Sequence, residues 1–163
     1  MSTPPGSLPE SLAAAGIFRM LDEPQRALLF AAGKTRMLVP GAIVVEQGEH
    51  LDSLFVLLEG VLTVTFQSPF STLSIGTIKP GETVGEMNVL DPLKASATVK
   101  VQHTARLWVI SRDALENFFL AHPAAGVAIL KQIAIVLTRR IRRSADKLIR
   151  HSEVSAPFHE WDE

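Results

Sequence analysis

The chain has 163 residues, 47% of them hydrophobic and 20% charged, with a formal net charge of −1 and no cysteine. Such a composition forms one folded unit with a sizeable core and gives no global attraction to nucleic acid or an anionic membrane. The lack of cysteine excludes disulfide frameworks, thiolate nucleophiles and zinc–cysteine sites, which suits a reducing compartment and a cytoplasmic location.

Residues 1–10 read as a flexible tail, because Met1 to Ser7 lacks the basic stretch and apolar run of a secretory signal. A folded unit is expected over 11–150. Two short helices are predicted over about Leu8 to Gly16 and Glu23 to Ala32. The second is marked by Asp22 with Gln25 three positions on, Pro24 in the first turn and Gly33 at the end.

From Thr35 to Ser111 the texture changes to short aliphatic or β-branched runs: Met37 to Val39, Ile43 to Glu46, Leu54 to Leu58, Val61 to Phe66, Leu73 to Ile78, Ala97 to Val101 and Arg106 to Ile110. Turn residues separate them at Pro40-Gly41, Gln47-Gly48-Glu49, Glu59-Gly60, Ser68-Pro69 and Lys79-Pro80-Gly81, a spacing that suits an antiparallel jelly-roll β-barrel. The fold class is therefore mainly β with flanking helices.

Helix returns after the strands. Ser111 can cap a helix over about Arg112 to Ala121, and His122-Pro123 opens a longer one to about Arg150. Its apolar stretch, about Ala124 to Leu137, is interrupted by Lys131 and Gln132 and is too short to cross a bilayer, so no membrane contact is expected. Leu130, Ala134, Leu137, Ile141, Ser144 and Leu148 form a heptad seam suited to a second copy, whereas Val127, Ile133 and Val136 are expected to dock on the barrel. Arg139, Arg140, Arg142, Arg143, Lys147 and Arg150 make the end of this helix basic, most simply a solvated face favourable at a helix C-terminus, and residues 151–163 form an acidic tail with two aromatics, of a kind that is usually disordered but able to dock on that basic end or on a partner.

The most informative stretch runs from Val84 to Val99. Gly85, Glu86, Met87, Val89, Leu90, Ser96, Ala97, Thr98 and Val99 match the phosphate-binding cassette of the cyclic nucleotide-binding domain family, found in catabolite activator proteins and protein kinase A regulatory subunits. The resemblance extends over about Leu12 to Leu148, through Gly16-Ile17-Phe18, Leu21, Gln25-Arg26, the hairpin glycines Gly41, Gly48 and Gly60, and Leu51 to Gly60. It implies two helices, an eight-stranded jelly roll, then a short and a long helix.

By that resemblance Glu86 takes the ribose 2'-hydroxyl, and Ser96 with the N–H groups of Met87 and Ala97 faces the cyclic phosphate. Ala95 stands where the family has the phosphate-pairing arginine, and Lys94 where it has proline; Lys94 reaches the phosphate only if the loop shifts register. Arg140, Arg143 and Ser144 lie where family members present groups to the base or across a dimer. Bland readings stand beside these: Glu86 as a helix-start carboxylate, Ser96 as a turn residue, Ser144 as a register-setting seam residue. The ligand-site set is thus Gly85, Glu86, Met87, Lys94, Ala95, Ser96, Ala97, Arg140, Arg143 and Ser144, with cyclic nucleotide as a possible ligand and no other cofactor.

No catalytic or metal site is expected, since His50, His103, His122, His151 and His159 are scattered without a His-x-His pair. Only His151 to Glu163 follow the long helix, without a winged helix-turn-helix. Specific DNA binding by the chain alone is therefore not expected. Two functions remain open: a homodimeric sensor acting on an effector protein in trans, or a degenerate module that serves as a protein scaffold or reads another ligand.

Overall fold

The computed structural model describes residues 16–154, with side-chain detail as far as Asp146 and again at Ile149. The expected first helix lies outside the described residues except for Gly16, which opens a short 3₁₀ turn, Gly16–Phe18. Helix α1, Glu23–Ala32, begins as its sequence dictates: the Asp22 carboxylate accepts from the Gln25 N–H at 2.8 Å, and the Gln25 side chain accepts from the Asp22 N–H. Two backbone donors left over at the helix start are thereby satisfied.

Six antiparallel strands follow: β1 Lys34–Leu38, β2 Ile43–Val45, β3 Ser53–Gln67, β4 Thr72–Ile78, β5 Thr83–Val84 and β6 Thr98–Ser111. Helix α2, Glu86–Leu90, interrupts them before β6, and α3, Arg112–Ala121, and α4, Pro123–Val154, close the described chain. The sheet path is β1-β6-β3-β4, with β2 added to β6 and β5 to β3.

Two expected breaks are absent. Leu54 to Leu58 and Val61 to Phe66 form one strand, β3, and the two runs between Ala97 and Ile110 form one strand, β6. Gly60 is therefore not a hairpin residue but a bend inside β3, at φ +95, where the register with β6 shifts around Glu59 and Val61. A Cβ there would stand 2.4 Å from the Thr104 carbonyl oxygen, so the close crossing of β3 over β6 needs glycine for space as well as for φ. Each long strand serves as two legs. Ser53 to Leu57 pairs with β5 and with the Leu107 to Ser111 half of β6, whereas Leu62 to Gln67 pairs with β4 and Thr98 onward. Counted by legs, the jelly roll has its eight strands, although the ladder path does not close.

Alternation along β3 and β6 sorts side chains into two cores. Leu57, Leu62, Val99, Val101, Ala105 and Leu107 fill the barrel, and Leu54, Val56, Leu58, Trp108 and Ile110 point out against the helices. Trp108 is fully buried, with Phe18 edge-on at 5.2 Å between centroids and its indole N–H donating to the Phe30 carbonyl at 3.0 Å. This residue ties the helical layer to the sheet.

Helix α4 docks on that layer through Ala125, Ile129 and Ile133, with Leu137 packed at the edge. Ile133 behaves as expected and Val136 is half-buried, but Val127 is 53% exposed. Spacing explains the correction: 125, 129 and 133 repeat every four residues on one face, while 127, 130, 134, 137 and 141 continue the heptad seam on another. Leu130, Ala134 and Ile141 on that seam are exposed.

Candidate functional site

Strand β5 delivers the chain to Gly85, which caps α2 at φ +87. A Cβ at Gly85 would sit 2.4 Å from the Ser53 carbonyl oxygen. Only glycine lets the chain turn this close to β3 and aim Glu86 inward. After α2, backbone bonds fasten the loop to the opposite turn: the Ala95 N–H donates to the Glu49 carbonyl and the Gly48 N–H to the Ala95 carbonyl, both at 2.8 Å. Arg112, at the start of α3, donates to the Asn88 carbonyl at 2.6 Å and thereby joins the end of α2 to the helices.

Glu86 is 1% exposed. One carboxylate oxygen accepts from Arg140 of α4, whose guanidinium also donates to the Thr83 carbonyl at 2.6 Å. The other carboxylate oxygen, Oε2, is buried without a hydrogen-bond partner, and so is the Thr83 hydroxyl. A buried carboxylate half satisfied is costly unless something completes it. A cavity of about 110 Å³ adjoins these atoms, walled on its apolar side by Val45, Val64 and Val99.

Of the ten predicted site residues, Gly85, Glu86, Met87, Ala95, Ser96, Ala97 and Arg140 line this one cavity. The other three do not. Lys94 bridges to His50 as an isolated β-pair and its side chain is exposed, because the backbone pairing of Ala95 fixes the register and turns Lys94 outward. Arg143 lines a neighbouring cavity that shares Thr83 and Arg140 with this one. Ser144 is exposed on the α4 seam and reaches neither. Ala95 is 6% exposed and packs in the barrel core with Val45 and Val99. Thr83 and Arg112 were not anticipated: a lone threonine before Val-Gly-Glu and a lone arginine after a serine cap carry no local signal. Among the described residues no group of carboxylates and histidines could hold a metal ion, and no helix is long and apolar enough to cross a membrane.

Comparison with known proteins bears on the fold and the family. A "CRP-like cAMP-activated global transcriptional regulator" of Mycobacterium tuberculosis is 29% identical over 145 residues, 85% of this chain and 61% of the regulator. The chain thus spans about three-fifths of the length of that curated relative. A cyclic nucleotide-binding domain from Methylobacillus flagellatus superposes with a TM-score of 0.81 at 21% identity, over 94% of this chain and 86% of that one. The N-terminal domain of a transcriptional regulator from Streptomyces coelicolor gives 0.71 at 24% identity, over 94% and 100%. These structures share the fold. The sequence pattern of the cyclic nucleotide-binding domain matches residues 35–122, more than half of the chain and the whole of the cassette, and on that match the chain belongs to the cyclic nucleotide-binding domain family.

Proposed function

We propose that the chain is a non-catalytic sensor module that takes a cyclic nucleotide through Glu86 and Arg140. The observation that carries this reading is the buried Oε2 of Glu86, an acceptor without a donor beside a cavity. A ribose hydroxyl would complete it, leaving Arg140 on the other oxygen. Arg140 is also the guanidinium lining the cavity, and so supplies the positive charge that Ala95 does not, in a setting where charge-assisted hydrogen bonds to phosphate are strong. Ser96 and the amides of Met87 and Ala97 complete the phosphate side. The match to a cAMP-activated regulator supports the ligand class. The exposed seam of α4 supports a homodimer, and an effector protein in trans receives the signal in the cytoplasm.

One observation favours the second reading, a module that has lost nucleotide binding and serves as a protein scaffold. The cavity of about 110 Å³ is well below the ~300 Å³ at which small-molecule pockets usually start. Calorimetric titration with cAMP, cGMP and cyclic dinucleotides separates the two. On the sensor reading cAMP or cGMP binds weakly, and Ala95→Arg tightens binding by about tenfold to 150-fold, the worth of one charge-assisted hydrogen bond to phosphate. No binding to the native chain and no gain in Ala95→Arg overturns the sensor reading and leaves the second, a module that serves as a protein scaffold or reads another ligand.

A further inference from the structure

Beside the Glu86 cavity lies a larger one of about 530 Å³, between the Gly16–Phe18 turn, the Gly81 to Thr83 corner and α4. Its wall carries Arg19, Arg139, Arg140 and Arg143 against a single carboxylate, Glu82. Arg140 is engaged by Glu86, and the Glu82 carboxylate accepts from the Lys79 N–H at 2.7 Å. Arg19, Arg139 and Arg143 have no ion pair among the described residues. Met20, Ile135 and Val136 supply apolar surface next to them. Three guanidinium groups without an ion pair among the described residues, around a concave, partly apolar wall, suit a ligand with several carboxylates or phosphates and an apolar body.

The cavity also lies away from the expected dimer seam. At ~100° per residue, Arg139 and Arg143 point about 170° and about 150° from the mean direction of Leu130, Ala134, Leu137 and Ile141, so a second copy seated on the seam leaves the arginines open.

We propose that this cavity holds the chain's own segment Phe158 to Glu163. That segment, Phe-His-Glu-Trp-Asp-Glu, brings three carboxylates, Glu160, Asp162 and Glu163, to three unpaired arginines, and two aromatic rings to the apolar wall. Its reach is sufficient. From Arg143 to Val154, where the described helix ends, α4 advances roughly 16 Å at ~1.5 Å per residue. From Val154 to Trp161 an extended chain covers up to about 23 Å at ~3.3 Å per residue, enough to turn back to the level of Arg143. The inference does not depend on nucleotide binding, because it rests on the arginines outside the Glu86 cavity.

Tryptophan emission tests it in the 163-residue chain. The two tryptophans are Trp108 and Trp161. Trp108 is fully buried, so the difference between the native chain and Trp161→Phe isolates Trp161. Its emission is expected to be blue-shifted from that of a free peptide of residues 155–163, with acrylamide quenching at least threefold weaker. Arg139→Glu with Arg143→Glu, exposed substitutions checked for fold by circular dichroism, raises quenching to the peptide value. Adding Glu160→Lys and Asp162→Lys restores the protection, which a merely structural effect of the arginines would not allow. Native quenching equal to that of the peptide, or protection indifferent to both charge sets, overturns the proposal. Protection that grows with protein concentration overturns it as well, because the tail then sits on a second copy.

Discussion

A single carboxylate decides most of the chemistry here. Glu86 was legible only through the resemblance of Gly85-Glu86 and the residues after it to the family cassette; that the turn needs glycine and that the next side chain is buried came from the structure. Its partner was not legible. Arg140 lies 54 positions away on a helix whose arginines all look alike in sequence, and only the docking of α4 selects the one that reaches Glu86. Breaking this pair leaves a buried carboxylate with neither oxygen satisfied. For a fully buried pair the loss is about 3 to 5 kcal/mol, but Arg140 is 39% exposed and water recovers part of it, so Arg140→Ala is expected to cost roughly 2 kcal/mol. Glu86→Gln in the Arg140→Ala background should recover most of that loss, since it removes the stranded charge. Urea denaturation of the four proteins reads the cycle. A cost below about 0.5 kcal/mol, or no recovery in the double variant, would show that the ion pair does not hold the site together.

Elements were easier to read than their continuity. Helix α1 follows from its capping pair and α3 from Ser111, whose hydroxyl accepts from the Ala114 N–H at 3.2 Å. Turn residues were misleading at Glu59-Gly60, because a glycine with positive φ marks a bend within a strand as readily as a hairpin, and the choice is made by β6 lying across it. Of the expected α4 seam, Leu130, Ala134, Ile141 and Ser144 are exposed and Val127 joins that face, whereas Leu137 also packs on the helical core and Leu148 lies outside the residues described with side chains. Ile141, 70% exposed, is the better probe of dimerisation than Leu137, which also packs against the helical core. Light scattering at tens of micromolar is expected to give a dimer mass for the native chain and a monomer mass for Ile141→Glu, with thermal stability of the monomer's fold retained. A native monomer, or a variant still dimeric, removes α4 as the dimer contact.

At the scale of the whole molecule, the proposed sensor reading requires a small cavity in the barrel wall to act on a helix. The Gly85 to Leu90 segment is attached to the helices at two points: Arg140 of α4 holds Glu86 at one end, and Arg112 of α3 holds the Asn88 carbonyl at the other. A ligand that completes Glu86 and draws charge from Arg140 must therefore bias where α4 sits, and by linkage α4 must bias affinity by the same factor. Hydrogen exchange with and without saturating cAMP, in the native chain and in Ala95→Arg, should show slowed exchange in α2 and in α4 around Arg140. On the proposed sensor reading, in Arg140→Ala the α4 response should vanish and cAMP affinity should fall about tenfold or more, since that reading makes Arg140 the guanidinium that serves the phosphate. The sign of that affinity change is decisive. If Arg140→Ala instead tightens binding, Arg140 is a plug that ligand must displace, the affinity of the native chain is reduced by the fraction of molecules with the plug released, and coupling to α4 runs through expulsion of the guanidinium rather than through its capture.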